Sequence, residues 1–279
     1  MKKLFRVVSL IGLIWRKHNI GRRLKWGLIF KLLYLEYKVL IQKEHANEIS
    51  FKLLGYTISA YGYENLRILF IEIFIKEEYQ YLVNLPKNCV IADCGANIGL
   101  ATLYLKHKFP SCTIHAFEPD KKAFHLLQKN IEQNKIPNVV LHNVAVMDKE
   151  GTINFYTAKD TPASLMMSSN PERMNDILIE VPGIDFSSFV AANKPAALKI
   201  DIEGAEQDVI RHLSETNMLN IFEQIVMEYH HNIEGQSRFS EMLSLLERNN
   251  FNYNIVSEFD KAGSFQDILL YAYRNKAEM

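Results

Sequence analysis

The chain has 279 residues, of which 48% are hydrophobic and 23% are charged, and its formal net charge at pH 7 is zero. This length and composition suffice for one large core, or for one domain with a small extension. The three cysteines, Cys89, Cys94 and Cys112, show no metal-binding spacing and no even number, which excludes a complete disulfide framework. We interpret them as reduced, packed residues of a cytoplasmic protein.

The zero net charge conceals a basic N-terminal segment. Residues 1–43 contain eleven lysines and arginines but one acid, Glu36, whereas the remaining residues contain 21 basic and 31 acidic side chains. Between Lys2 and Lys17, apolar residues recur with helical spacing opposite the cations. This pattern predicts an amphipathic helix with an apolar face formed by Leu4, Val7, Val8, Ile11, Ile14 and Trp15. The longest uncharged run has nine residues, too few for a bilayer span, and no signal-peptide cleavage site follows it.

Three interpretations of this basic segment remain open. An interfacial helix attracted to anionic lipid fits its basic and aromatic residues, which include both tryptophans, Trp15 and Trp26. Packing on the acidic remainder of the chain, or contact with a partner, fits nearly as well. RNA binding ranks third, because the remainder is acidic and has no recognisable RNA-binding module. We therefore expect no nucleic-acid partner, and a cytoplasmic protein with a peripheral contact between residues 1–43 and an anionic membrane.

Strand and helix patterns alternate along the rest of the chain. Residues 51–61 predict a β-hairpin around Gly55, residues 66–83 a helix, and residues 158–176 a long polar loop that we interpret as a lid. The other predicted strands span residues 90–93, 113–117, 139–144, 151–156, 196–200, 225–228, 252–256 and 268–273. The other predicted helices span residues 98–109, 121–134 after a cap at Asp120, 207–213 and 238–248.

This alternation favours one main α/β domain. Helices between strands indicate a doubly wound, mostly parallel sheet, with the last two strands forming an antiparallel edge hairpin. We divide the chain into a basic amphipathic helical arm at residues 1–50, a hairpin and helix that cap the core at residues 51–88, and the α/β domain at residues 89–279.

The turn after the first core strand is the most informative motif. It reads Asp93-x-Gly95-x-Asn97-x-Gly99, and Glu118 ends the next strand roughly 20 residues later. Gly95 and Gly99 permit close approach of the backbone to a ligand, and Glu118 can accept both hydroxyls of a ribose. A dinucleotide site would have glycine in place of Asn97 and no leading acid, since an acid repels a pyrophosphate. The acid suits the cationic amino-acid end of S-adenosylmethionine, and no Gly-Lys-Ser/Thr sequence follows that would indicate a P-loop.

Several blocks in order give the chain a resemblance to the FkbM-type family of S-adenosylmethionine-dependent O-methyltransferases, within the class I methyltransferase superfamily. The blocks are Glu72-Ile73-Phe74 to Tyr79, Asp93 to Gly99, Phe117-Glu118-Pro119, Asn143-Val144-Ala145 and Leu198 to Glu206. The last block is the more family-specific. Two departures are Cys94, where valine is commoner, and Gly183-Ile184-Asp185-Phe186, where a Leu-Asp pair is expected.

The resemblance covers about residues 66–275 and implies the fold. We expect an α/β protein with a doubly wound, mostly parallel seven-stranded sheet of the Rossmann-like class I methyltransferase type, carrying an N-terminal helical extension. The basic segment lies outside the resemblance, so the family implies nothing about it.

Position within this motif order assigns the S-adenosylmethionine site. We expect Asp93 to face the amino end of the cofactor, the turn to contact it through its backbone, and Glu118 to bind its ribose. The expected cofactor-binding residues are Asp93, Gly95, Asn97, Gly99, Glu118, Pro119, Asn143 and Ala145, the last pair lying at the adenine edge.

Acceptor-side groups are expected at the carboxyl ends of the later strands, because ligands of such sheets bind at that edge. Asp201, Glu203, Glu228 and His230 stand there, and we predict that they are catalytic. Methyl transfer to oxygen is an in-line displacement that needs alignment and a base for the acceptor proton. The structural alternatives are a helix N-cap role for Asp201 and, for His230, a hydrogen-bonded histidine at the sheet edge, since His231 competes for the catalytic role.

The same acceptor-side residues raise the question of a metal. Asp201, Glu228 and His230 offer ligands that Mg²⁺ or Mn²⁺ accepts. We rank metal-free base catalysis first and predict no metal, because the sequence offers scattered single acids and no adjacent Asp-Asp pair.

The expected function is O-methylation, by S-adenosylmethionine, of a hydroxyl of a sugar in a polysaccharide or glycolipid precursor. The family implies the substrate class, and the basic segment suggests a lipid-anchored precursor. Two alternatives are O-methylation of a small-molecule natural product and a non-catalytic, membrane-peripheral interaction protein on a methyltransferase scaffold. The sequence leaves the oligomeric state open.

Overall fold

The structure is a computed structural model that describes residues 2–42, 47–80, 84–157, 177–231, 238–257 and 266–274. The described residues form two compact units, the first ending at Glu78 and the second beginning at Tyr79. Among the described helices, none combines the length and apolar composition needed to cross a bilayer.

The first unit consists of helices and one hairpin. Its elements are α1 (Lys2–Arg16), α2 (Arg22–Ile41), β1 (Glu48–Leu53), β2 (Tyr56–Tyr61), α3 (Tyr63–Phe70) and a π-helical turn (Ile71–Lys76). The predicted amphipathic helix is confirmed as α1. The predicted hairpin is also confirmed, with its two-residue turn at Leu54 and Gly55 in the left-handed region that glycine favours.

The helix predicted at residues 66–83 ends earlier than expected. The π-helical turn stops at Lys76, and Glu77 adopts a left-handed conformation with φ 56°. A residue in that conformation cannot continue a right-handed helix. Tyr79 therefore lies beyond the helix, while residues 81–83 of the prediction fall outside the described residues.

The second unit contains the remaining elements. Its strands are β3 (Val90–Cys94), β4 (Thr113–Phe117), β5 (Val139–His142), β6 (Ala145–Met147), β7 (Gly151–Thr157), β8 (Ile177–Asp185), β9 (Ala197–Ile200), β10 (Gln224–His231), β11 (Asn252–Ser257) and β12 (Gln266–Tyr273). Its α-helices are α4 (Leu100–Lys108), α5 (Lys121–Gln133), α6 (Phe186–Asn193), α7 (Glu206–Glu215) and α8 (Phe239–Arg248).

A seven-stranded sheet organises this unit in the order β11-β12-β10-β9-β3-β4-β5. Pairing from β10 through β5 is parallel, whereas β12 runs antiparallel to both β10 and β11. The predicted doubly wound, mostly parallel seven-stranded sheet and its antiparallel edge pair are thus confirmed. From β3 the chain winds outward through β4 and β5, and it later returns to add β9 and β10 on the other side. This reversal next to β3 is where such sheets bind ligands.

Two parts of the prediction around residues 139–185 are wrong. The strand predicted at residues 139–144 ends two residues early, at His142, and the next strand, β6, pairs with β8 in a separate sheet of order β6-β8-β7. β8 and α6 have no counterpart in the prediction. Pro182 and Gly183 interrupt the strand pattern of β8, and such residues normally argue against a paired strand. The loop interpreted as a lid, at residues 158–176, lies outside the described residues.

Candidate active site

The turn after β3 adopts the conformation that its glycines permit. Gly95, Asn97 and Gly99 have φ angles of 77°, 48° and 90°. The N–H groups of Gly95 and Ala96 donate to the carbonyl of Phe117, at 3.0 and 2.9 Å. A Cβ on Gly95 would lie 1.8 Å from the backbone carbonyl oxygen of Asp201. Glycine is therefore required at position 95 by the neighbouring strand end as well as by the backbone angle.

The Glu118 carboxylate is anchored by the turn and by the start of α5. One oxygen accepts the N–H of Asn97 at 2.8 Å and the other accepts the N–H of Asp120 at 2.9 Å. Only 3% of the residue is exposed. Burial raises the pKa of the Glu118 carboxyl to about 8, although these two N–H groups act in the opposite direction. Asp120 also caps α5, as predicted, by accepting the N–H of Ala123 at 2.7 Å.

The predicted adenine-edge residues have different surroundings. The Asn143 side-chain amide donates to the backbone carbonyls of Glu118 and Pro119, at 2.8 and 3.2 Å. Asn143 thus holds the chain just after β4, next to the Glu118 carboxylate. Ala145 is buried in β6 and pairs with Gly183.

Asp93 is fully buried near the carboxyl end of β3. Its Oδ2 accepts the Thr102 hydroxyl at 2.6 Å, and its Oδ1 lies 3.6 Å from Nζ of Lys199. Burial raises the pKa of Asp93, while Lys199 and Thr102 act against that rise. Among the described residues, none donates a hydrogen bond to Oδ1 of Asp93.

Lys199 is a buried cation in the central strand β9. Its ammonium donates to the carbonyls of Gly95 at 2.7 Å and Cys94 at 3.2 Å, and it lies 3.6 Å from Oδ2 of Asp201. Burial by itself would lower the pKa of Lys199, but the carboxylates of Asp201, Asp93 and Glu228 outweigh burial and raise it. Lys199 therefore stays charged and lies between the turn after β3 and the Asp201 carboxylate.

Asp201 and Glu228 are joined through a tyrosine hydroxyl. The Tyr79 hydroxyl lies 3.1 Å from Oδ2 of Asp201 and 3.1 Å from Oε2 of Glu228. The hydroxyl has one proton, so it donates to one carboxylate at a time. The Tyr79 ring also lies 4.9 Å from Nζ of Lys199, a cation–π distance. Helix α7 begins after Ala205 with no side-chain cap, so Asp201 does not have the N-cap role considered as an alternative.

His230 lies among acidic side chains with only 2% of its side chain exposed. Its Nδ1 is 2.9 Å from the buried carboxylate of Glu206, which also accepts the N–H groups of Ile202 and Gly204. Its Nε2 lies 3.2 Å from Glu203. Burial would lower the pKa of His230, but Glu206, Glu203 and Asp201 raise it to about 10. His230 is accordingly an imidazolium ion at neutral pH.

The structure separates His230 from its competitor. His231 contacts the rings of Tyr229 and Phe239, with centroids 6.1 Å apart in each case. His230 belongs to the acidic cluster, as the two residues alternate along β10.

Comparison with known proteins decides the family. The profile described as "Methyltransferase FkbM domain" matches residues 93–253. The chain belongs to the FkbM methyltransferase family. It is 29% identical over 208 residues to "Methyltransferase 1" of Beauveria bassiana, covering 64% of this chain and 78% of that protein. It is 27% identical over 257 residues to the 31-O-demethyl-FK506 methyltransferase FkbM of Streptomyces tacrolimicus, covering 80% and 95%.

The solved structure of an FkbM methyltransferase from Methylobacillus flagellatus KT aligns with this protein at 13% identity and a TM-score of 0.47. The alignment covers 98% of this chain and 60% of the chain of that structure. The FkbM family match establishes the chain as an S-adenosylmethionine-dependent methyltransferase. It also favours the enzyme over the non-catalytic interaction protein considered from the sequence.

The residues around the turn of this methyltransferase fit S-adenosylmethionine. Each Glu118 oxygen accepts one N–H and retains capacity for a further donor such as a ribose hydroxyl. Oδ1 of Asp93 is a buried acceptor that can receive a donor from a ligand. The assignment of individual cofactor contacts remains a prediction.

The acceptor side of the methyltransferase can also accommodate a cation. One potential ligand atom from each of Asp201, Glu203 and His230 lies within 4.8 Å of the others, and a second such group combines Glu228, His230 and Asp267. Carboxylate oxygens suit hard cations. Metal-free base catalysis remains our first prediction, because His230 already neutralises part of this acidic cluster.

Sequence reasoning missed four residues of this site. Lys199 lies in an otherwise apolar strand, and the sequence assigned it no role. Tyr79 and Glu206 belong to the family blocks, but no role was assigned to them. Thr102 is a helix residue, and its contact with Asp93 depends on how α4 packs against β3.

Proposed function

We propose that this methyltransferase methylates a hydroxyl of a sugar in a polysaccharide or glycolipid precursor in the cytoplasm. The observation that carries the methyl-transfer part of the proposal is the contact between the predicted cofactor turn and the strand end that bears Asp201, while the sugar acceptor rests on the family resemblance. The backbone N–H of Asp201 donates to the carbonyl of Cys94 at 3.1 Å, and Gly95 packs against the Asp201 carbonyl. An acceptor hydroxyl held by the acids would therefore lie close to a cofactor on the turn, as in-line transfer requires.

The proton acceptor in this proposal is a carboxylate. S-adenosylmethionine supplies a methyl group on a positively charged sulfur, and the protein must take up the acceptor proton as the new bond forms. His230, with its pKa raised to about 10, already holds a proton at neutral pH and is unsuited to this role. Asp201, with 21% of its side chain exposed and Tyr79 bonded to it, is the preferred base, and Glu228 shares the same tyrosine.

Substitutions separate the two halves of the site. Glu118→Ala should weaken binding of S-adenosylhomocysteine by about 1–3 kcal/mol, the scale for removing one partner of a buried hydrogen bond. Asp201→Ala should reduce turnover while leaving that affinity nearly intact. Calorimetric titration measures the first effect and single-turnover methyl transfer the second. Absence of any S-adenosylhomocysteine binding by the wild type would refute the assigned cofactor site.

The second candidate is methylation of a small-molecule natural product. It is favoured by the relative from Streptomyces tacrolimicus, which is named as a 31-O-demethyl-FK506 methyltransferase. Mass spectrometry of surface carbohydrate from cells with and without the protein distinguishes the candidates. Loss of a methyl from the carbohydrate supports the sugar acceptor. An unchanged carbohydrate together with a small metabolite that has lost a methyl supports the natural product.

A membrane-bound precursor is part of the sugar proposal. Glycolipid precursors lie at a membrane surface, and the basic residues 1–43 would bring the enzyme to that surface by attraction to anionic lipid.

A further inference from the structure

Helix α2 has two apolar faces. One is buried within the first unit and is formed by Leu28, Ile29, Leu32 and Leu35. The opposite face is exposed and is formed by Trp26, Phe30, Leu33, Tyr37 and Leu40, at spacings of four and three residues. The exposed fraction is 63% for Phe30 and 58% for Tyr37. A helix that packs by one face needs only one apolar stripe, and a second, exposed stripe is typical of an interaction surface.

Helix α1 extends this exposed apolar surface. The Trp15 ring meets the Trp26 ring edge to face, with centroids 5.4 Å apart, and Trp15 itself is 40% exposed. Leu4 and Val8 lie on the same side of α1 as Trp15 and are 71% and 58% exposed. Twelve of the fifteen exposed large hydrophobic side chains of the described residues belong to α1 and α2. The apolar exposure is therefore concentrated on these two helices.

The charge of the same helices is almost entirely positive. Their single acid, Glu36, is paired with Arg6 at 2.9 Å and with Arg67 of α3 at 3.2 Å. Arg22 and Arg23 at the start of α2 are exposed. Cations thus border the apolar stripe, and Glu36 is the one acidic side chain in these two helices.

We propose that the exposed apolar and basic residues of α1 and α2, here called the amphipathic surface, bind an anionic lipid bilayer peripherally. This inference deepens the proposed function, and its link to a glycolipid acceptor rests on that function. Both helices would lie in the plane of the interface, with Trp15, Trp26 and Tyr37 at headgroup depth and Arg22 and Arg23 at the lipid phosphates.

A bilayer fits this surface better than a second copy of the chain. A symmetric pair of chains would bring two identical, strongly positive surfaces together, and like charges oppose such contact. An anionic bilayer accepts both the cations and the aromatic side chains.

Sedimentation of the full chain with vesicles tests the proposal. We expect binding to phosphatidylcholine vesicles that contain phosphatidylserine, little binding to phosphatidylcholine alone, and weaker binding as NaCl is raised, because salt screens the attraction. Arg22→Gln with Arg23→Gln should weaken binding about thirtyfold, the change expected for two charges at an anionic surface. Lys149→Gln with Arg248→Gln, which changes two exposed cations of the second unit, is the matched control and should bind like the wild type.

A second pair of variants tests the apolar stripe. Phe30→Ser with Tyr37→Ser should weaken vesicle binding at least about tenfold, whereas Ile255→Ser with Val256→Ser on β11 should not, although those residues are 44% and 52% exposed. Failure of the wild type to bind anionic vesicles at low salt would overturn the proposal. The proposal would also be overturned if the two α2 double variants bound anionic vesicles as tightly as the wild type. A wild-type dimer that Phe30→Ser with Tyr37→Ser dissociates would overturn it too.

Titration with S-adenosylhomocysteine keeps the two proposals distinguishable. We expect equal affinity in all four double variants, which shows that the second unit is intact. Vesicle binding without S-adenosylhomocysteine binding by the wild type would contradict the assigned cofactor site and leave the amphipathic surface supported.

Discussion

Alanine in place of Gly95 should disrupt both the stability of the methyltransferase and its cofactor site. The left-handed backbone at φ 77° costs a residue with a Cβ about 1–2 kcal/mol. The new Cβ would also lie 1.8 Å from the Asp201 carbonyl oxygen, so the strand end must move. Overpacking of this kind costs about 1–3 kcal/mol. The two effects together predict a loss of about 2–5 kcal/mol in the free energy of unfolding.

Two further glycines separate these effects. Gly55 has φ 88° and nothing within 4 Å of a built Cβ, so Gly55→Ala should show the backbone cost alone. Gly99 has φ 90°, and its Cβ would meet Cδ1 of Leu127 at 2.7 Å, a side-chain end that can move. We therefore expect Gly99→Ala to be milder than Gly95→Ala.

Urea unfolding followed by circular dichroism measures stability, and calorimetry measures affinity for S-adenosylhomocysteine. Gly95→Ala should weaken that affinity at least about tenfold, or about 1.4 kcal/mol, because the turn shifts away from Asp201. Gly55→Ala should leave the affinity unchanged. Equal unfolding midpoints and equal affinities for these two variants would refute the argument that the turn is held against the Asp201 strand end.

Three other substitutions test the site. The pKa of Glu118 is raised to about 8, so cofactor binding that needs the carboxylate should strengthen from pH 6 to pH 8 and level off above pH 8. Calorimetry should show this rise in the wild type. The Glu118→Gln variant should bind more weakly, with an affinity that does not change with pH. Tyr79→Phe should lower turnover about tenfold with S-adenosylhomocysteine affinity unchanged, and an unchanged turnover would contradict a role in positioning the acids. Lys199→Met leaves the buried Asp93 and the adjacent Asp201 without their shared cation. It should lower the free energy of unfolding, measured by urea titration, by about 3–5 kcal/mol. A loss under about 1 kcal/mol would argue against the ion pair.

Local chemistry made much of the cofactor side predictable. The turn needs residues that tolerate positive φ, and Gly95, Asn97 and Gly99 are of that type. The Asp120 cap was also predictable from local sequence, because the Asp120 carboxylate accepts the N–H of Ala123, only three residues away. Strands buried on both faces read as apolar runs, so most of the parallel sheet was also predictable.

Boundaries that depend on distant partners were less predictable. The strand predicted at residues 139–144 stops at His142, and the chain then enters a second sheet, where Ala145 pairs with Gly183. The helix predicted through residue 83 ends before Glu77, which adopts a left-handed conformation. Helix propensity does not predict such an end, because left-handed residues at helix ends are usually glycine or asparagine.

The charges of the acceptor side were decided by tertiary structure. Tyr79 and Asp201 are 122 residues apart in the chain, and His230 and Glu206 are 24 apart. The sequence placed acids and a histidine at strand ends, which was enough to name candidates for the base. Packing then enclosed His230 among carboxylates and raised its pKa to about 10, which is why we propose Asp201 as the base. A residue's type is set by the sequence, but its protonation depends on burial and on neighbours that only the fold brings together.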